Sequence, residues 1–90
     1  MNEGCVVRAD NSIWREIEGN IVVIKDDGTM IYLLNRTAAR IWEMCDGNFG
    51  PDEMAAKLYE RYDVSLEQAS ADVRKTLTSL MGKGLLMQGI

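Results

Sequence analysis

The chain has no histidine. That absence removes the commonest general base, every Ser-His or Cys-His nucleophilic pair and the usual metal ligand. Acid–base work by Asp or Glu stays chemically open, but the 14 acidic residues are scattered and no pair of them stands out. Two cysteines are too few for a disulfide framework, so a reducing cytoplasm is the expected setting. Long apolar runs are missing as well. The longest, Ile21 to Ile24 and Met30 to Leu34, are far too short to cross a bilayer. The opening Met-Asn-Glu-Gly lacks the basic and apolar regions of a secretory signal, so none is expected. Basic residues are in the minority, 10 against 14 acidic for a net charge of −4. That balance disfavours duplex DNA, whose phosphates must be neutralised by Lys and Arg. The absences together predict no metal, no cofactor, no membrane and no nucleic-acid partner, and make an enzyme acting alone the weakest reading.

What is present is ordinary for a folded domain: 90 residues, 47% hydrophobic and 27% charged. A chain of this size forms one domain and buries only about 60–65% of its unfolded surface. The first dozen residues read as an N-terminal arm, within which Val6 and Val7 could pack, and residues 13–90 as a single domain. Ile13 to Ile17 suits a strand. After the turn signal Glu18-Gly19-Asn20, the β-branched run Ile21-Val22-Val23-Ile24 is the best strand in the chain. Lys25-Asp26-Asp27-Gly28 supplies a hairpin turn, and Met30 to Leu34 is the third strand. Short connections imply an antiparallel meander in the order 1-2-3, with the first and third strands at its edges.

Three helices follow. Asn35 suits an N-cap, because its side-chain oxygen can accept from an orphaned backbone N–H. Ala38, Ile41, Trp42 and Cys45 then fall on one apolar stripe, and Asp46-Gly47 closes the helix with a residue free to adopt the left-handed conformation. Gly50-Pro51-Asp52-Glu53 starts a second helix, with proline at its first turn and acids at the positive dipole end. Its apolar face is Met54, Ala55, Leu58, Tyr59 and Tyr62. Ser65 to Gln68 reads as a capping box, with Val64 and Ala69 as its staple. The third helix carries Ala69, Val73, Leu77, Leu80 and Met81 as its stripe and ends at Gly82 and Gly84. Leu85-Leu86-Met87 returns as a strand fragment or a flap. The fold class is therefore α+β, a three-stranded antiparallel meander followed by three helices, winged-helix-like.

The third strand runs into the first helix without a linker, and this corner carries no nucleophile, base or metal ligand. Its chemistry is that of holding something. Edge strands normally carry a charge that blocks further pairing, yet Met30 to Leu34 has none, and both of its faces are apolar. Met30, Tyr32 and Leu34 can be core while Ile31 and Leu33 face out or lie under a helix; the spacing leaves the parity open. Cys45 reads as a small buried hydrophobe rather than a reactive thiol, and Cys5 has no partner by spacing. Trp42 is a core position, whereas Trp14 could be core or rim. Arg74, Lys75 and Lys83 on the third helix could meet phosphate or an acidic peptide, although solvated surface is the simpler account beside Glu67 and Asp72.

These residues resemble the PqqD-like proteins, peptide chaperones whose fold is the RiPP recognition element. The likeness runs from Trp14-Arg15 through Asp27-Gly28, Leu34-Asn35, Thr37-Ala38, Ile41 and Asp46-Gly47. It continues with Leu58, Tyr62 and Asp72-Val73 and ends at Gly84-Leu85-Leu86. The resemblance implies a protein that binds the leader of a ribosomally made precursor peptide and presents it to a modifying enzyme, often a radical SAM protein. It also implies that the leader adds as a strand beside the third strand, against the third helix. The candidate peptide-binding residues are then Met30, Ile31, Tyr32, Leu33 and Leu34 with Val73, Thr76, Leu80 and Lys83. The Lys25-Asp26-Asp27-Gly28 hairpin departs from the Tyr-Pro-Glu-Gly type of turn in PqqD proteins themselves, which leaves pyrroloquinoline quinone or another end product open. Two other classes fit the same elements. One is a winged-helix DNA-binding domain, at odds with the acid balance. The other is a small structural subunit that uses its edge strand for a protein partner or for a homodimer.

Overall fold

Apolar, β-prone runs and tight turns build the first half of the chain, and amphipathic stripes build the second. The computed structural model describes residues 6–9, 12–25 and 28–88. Its elements are β1 (Val6–Arg8), β2 (Ser12–Ile17), β3 (Asn20–Lys25) and β4 (Met30–Leu34), then α1 (Arg36–Glu43), α2 (Pro51–Arg61), α3 (Leu66–Gly82) and β5 (Leu86–Gln88). β2, β3 and β4 form the expected antiparallel meander in that order. Glu18 and Gly19 have φ of 52° and 89°, the two positive values that a type I′ hairpin needs. Asp26 and Asp27 of the second hairpin, like Cys5, lie outside the described residues; Gly28 beside them has φ of 88°.

The three helices start where their caps dictate. Asn35 Oδ1 accepts from Ala38 N at 2.9 Å, and Ser65 Oγ accepts from Gln68 N at 3.0 Å. The reciprocal arm of the expected capping box is absent at α3, because Gln68 Nε2 donates to Asp72 Oδ1 instead, at 2.9 Å. It occurs at α2, where Glu53 Oε1 accepts from Gly50 N at 2.9 Å. The stripes are narrower than the sequence pattern suggests. Met54, Ala55 and Leu58 are buried on α2 and Ala69, Val73, Leu77 and Leu80 on α3, whereas Tyr59, Tyr62 and Met81 are exposed. On α1 the buried residues are Ala39, Ile41 and Trp42, with Ala38 only half-buried. An eight-residue helix has two turns, so its buried face shifts by one position without cost to the pattern.

The N-terminal residues, in which Val6 and Val7 could pack, do more than pack. Val6–Arg8, read from sequence as part of an arm, form a strand that pairs with Leu86–Gln88 in a second, two-stranded sheet. The strand is fixed on both sides. Arg8 N donates to Cys45 O and Gly47 N donates to Val6 O, each at 3.0 Å, while Ala9 N donates to Leu85 O at 2.9 Å. Gly47 has φ of 91°, a conformation that side chains strain, and a Cβ there would sit tight against Val7 Cγ1 at 3.0 Å. Arg8 does the rest. Its Nη1 donates to the carbonyls of Trp42 and Glu43 at 2.8 and 3.2 Å, satisfying the C-terminal end of α1 where a cation is favoured. Its guanidinium also lies 5.1 Å from the Trp14 ring centre and 5.9 Å from that of Trp42.

Trp42 is the largest of the fully buried side chains and belongs to the hydrophobic core. Trp14 meets it edge-on, with ring centres 6.1 Å apart and an interplanar angle of 84°. Ile21, Val23 and Leu34 of the sheet and Met54, Val73 and Leu80 of α2 and α3 belong to the same buried cluster. The meander therefore has one face sealed by helices and one face open.

Candidate functional site

The hairpin geometry decides which groups of β4 are free. The Ile17–Asn20 turn closes with a hydrogen bond between its end residues, and antiparallel pairs then alternate between bonded and non-bonded along the ladder. Asn20, Val22 and Ile24 thus bond to β2, and Ile21, Val23 and Lys25 bond to their partners Leu34, Tyr32 and Met30 on β4. The N–H and C=O groups of Ile31 and Leu33 point away from the sheet. Among the described strands, none pairs with this edge. The opposite edge strand, β2, carries Arg15 and Glu16, whereas β4 carries no charge at all.

The side chains of β4 divide by parity. Leu34 is buried and Tyr32 half-buried on the helix-facing side, which settles the question left open by the sequence. Ile31 and Leu33 lie on the open face, 67% and 74% exposed. They extend cross-strand rows that begin with Ile13–Ile24 and Arg15–Val22.

Beside the free edge is a cleft of about 370 Å³ between the end of β4 and α3. Leu33, Leu34 and the cap residue Asn35 form one wall, continued by Thr37 and Ala38 of α1. The other wall is one face of α3, with Asp72, Thr76, Ser79 and Lys83 at successive turns and Lys75 beside them. Leu80 closes the floor. Lys83 Nζ donates to Ser79 Oγ at 2.7 Å and lies 5.9 Å from the Tyr32 ring centre. The cleft thus combines an apolar floor with a polar helical wall.

Of the nine residues that sequence reasoning placed in a peptide site, Leu33, Leu34, Thr76, Leu80 and Lys83 line this cleft. Tyr32 lies against Lys83, Ile31 supplies outward backbone groups, and Met30 is exposed at the far end of the strand. Val73 is displaced. It is fully buried, one residue and about 100° around the helix from Asp72, and packs in the core rather than lining the cleft. Asn35, Thr37, Ala38, Asp72, Lys75 and Ser79 were missed. Helical spacing from Thr76 would have found Asp72 and Ser79.

Cys45 belongs to no site. It is fully buried, its Sγ donates to Ile41 O at 3.2 Å, and burial pushes its thiol up to about 12. Among the described residues, no group of three or more His, Cys, Asp or Glu could hold a metal ion, and no helix is long and apolar enough to cross a membrane.

Comparison with known proteins follows the same outline. A family model described as "Coenzyme PQQ synthesis protein D (PqqD)" matches residues 20–86. The chain is also 33% identical over 75 residues to a "PqqA binding protein" of Methylococcus capsulatus, covering 83% of this chain and 76% of the relative. This chain belongs to the PqqD family. PqqD-like architecture extends to solved structures. "TbiB1 in Complex with the TbiA(beta) Leader Peptide" superposes with a TM-score of 0.79 at 23% identity, covering 89% of this chain and 93% of that one. "Lasso peptide synthetase B1 complexed with the leader peptide" gives 0.81 at 22% identity, with 92% and 98% covered. At those identities the likeness is one of fold.

Proposed function

We propose that this PqqD-family protein binds the leader segment of a ribosomally made precursor peptide as a fourth strand on β4, and presents it to a modifying enzyme. The observation that carries the reading is the uncharged free edge at Ile31 and Leu33 with a cleft directly beside it. Ordering about eight leader residues costs roughly 8–16 kcal/mol of backbone entropy. About five strand hydrogen bonds return only about 1 kcal/mol each. Edge pairing alone therefore fails, and leader side chains must be buried beside it, which is what the cleft offers. The relative named for binding PqqA and the two fold neighbours complexed with leader peptides support the same reading.

The protein acts without chemistry of its own, in the cytoplasm, and its partner is an enzyme of the radical SAM class. In the absence of peptide a second copy could pair along the same edge. Residues 13–90 act as the peptide-binding unit. A DNA-binding role is less well supported, because Glu67 and Asp72 share α3 with Arg74 and Lys75, and Lys83 caps its end.

The test is titration of the full chain with synthetic precursor leaders, PqqA among them, against the parent and Ile31→Pro. Proline at 31 removes an outward N–H and spares the β3–β4 ladder. One leader should bind the parent, and Ile31→Pro should weaken it at least about tenfold with unchanged circular dichroism. Equal binding by both proteins would discard strand addition.

A further inference from the structure

We infer that the leader recognised here is acidic on its cleft-facing side, with two carboxylates four residues apart that meet Lys75 and Lys83. The inference rests on the strand-addition reading and adds the chemistry of the ligand to it. Lys75, Ser79 and Lys83 follow each other at four-residue intervals, so they share one face of α3, and all three line the cleft. Among the described residues neither lysine lies within ion-pair distance of a carboxylate. The acid in the cleft, Asp72, is already engaged by Gln68 Nε2 at 2.9 Å. Lys83 is held in place over β4 by its bond to Ser79 Oγ and by the Tyr32 ring. Two ammonium groups without a carboxylate partner, against the single carboxylate of Asp72, leave the cleft net positive, a local reversal in a chain whose net charge is −4, and such a reversal selects for negative charge in whatever enters.

The spacing matches an extended ligand. Lys83, the C-cap of α3, lies eight positions after Lys75, about 12 Å along the axis. Two strand residues on the same face, four apart, are about 13 Å apart. A strand paired to Ile31 and Leu33 sends alternate side chains into the cleft and the others onto the open face of the sheet. There the neighbours are Ile31 and Leu33, so apolar and β-branched side chains fit. The recognised pattern is an alternation, apolar on one side and polar on the other, with the two carboxylates on the polar side.

Synthetic peptides of about ten residues, valine alternating with threonine, provide the probes. Two of the threonines, four positions apart, are replaced by glutamate in one peptide, glutamine in a second and lysine in a third. Fluorescence anisotropy with the full chain should show the glutamate peptide binding at least about tenfold tighter than the glutamine peptide, and the lysine peptide weakest. The preference should shrink as salt is raised. The double variant Lys75→Gln with Lys83→Gln should bind the first two peptides alike, and Lys83→Arg should keep the preference. A preference that survives in the double variant overturns the inference. So does equal binding of all three peptides by the parent; if Ile31→Pro then abolishes that binding, strand addition stands without the acidic code. If none of the peptides binds, or Ile31→Pro leaves binding unchanged, both readings fall.

Discussion

At the scale of single residues, burial rather than chemical type decides behaviour. Cys45 was legible in the sequence as a core position because it falls on the stripe of Ile41 and Trp42, and it is fully buried. Desolvation pushes its thiol from 9.0 up to about 12, with nearby Arg8 pulling it down and Asp46 pushing it up by smaller amounts. The folded state therefore holds this proton after the unfolded chain has released it. The stability it contributes is complete below about pH 9 and is lost as pH rises towards 12. Against a Cys45→Ala control, urea denaturation should show the parent losing about 1.4 kcal/mol per pH unit across that window; parallel curves would refute it. Arg8 was not legible. Its bonds to the carbonyls of Trp42 and Glu43 span 34 and 35 residues, and no local pattern announces a contact of that range. Arg8→Met keeps much of the apolar stem and removes those bonds, so stability should fall by about 1–3 kcal/mol in urea. A loss near zero would show that water replaces the guanidinium at no cost.

At the scale of elements, β4 shows what a sequence pattern can and cannot carry. Its ends, Met30 and Leu34, are those that the sequence predicts, because Asn35 caps the next helix and stops the strand. Its parity was illegible, since residues on both faces are apolar and periodicity needs a polar partner to read against. The deciding information sits in another hairpin, at Glu18 and Gly19, whose turn fixes which pairs of the ladder are bonded. The cleft wall on α3 was half-visible for a similar reason: the buried stripe follows hydrophobicity, but a polar face looks the same whether it borders solvent or a groove. The parity gives an asymmetric prediction. Tyr32→Pro removes an N–H from the ladder bond to Val23 and should cost about 3 kcal/mol or more of stability, while Ile31→Pro should melt close to the parent. Thermal melts of the two variants would contradict the assigned register if their order were reversed.

At the scale of the whole molecule, the two sheets divide the labour. The β2–β3–β4 meander carries the free edge, and the β1–β5 pair ties the start of the described chain to its end without contributing a residue to the cleft. Charge at this scale is also one-sided, with a sequence pI of about 4.7, so a gel shift against duplex DNA at low salt should show no retardation. Tight binding with a steep salt slope would restore the winged-helix reading. The division of labour leads to a sharper expectation. Removing residues 1–9 deletes the buried Val6, the backbone bonds of Arg8 and Ala9, and the Arg8 contacts with α1. Burial of one valine contributes about 1.5–2 kcal/mol and the arginine bonds a similar amount, so the total loss should be about 3–5 kcal/mol. For a domain of this size that lowers the midpoint by more than about 10 °C. Peptide affinity measured well below that midpoint should nevertheless stay within about twofold of the parent, since edge and cleft are built from other elements. Loss of binding in a truncated chain that still gives the parent's circular dichroism would mean that β1 shapes the cleft through α1, and that the two sheets act as one device.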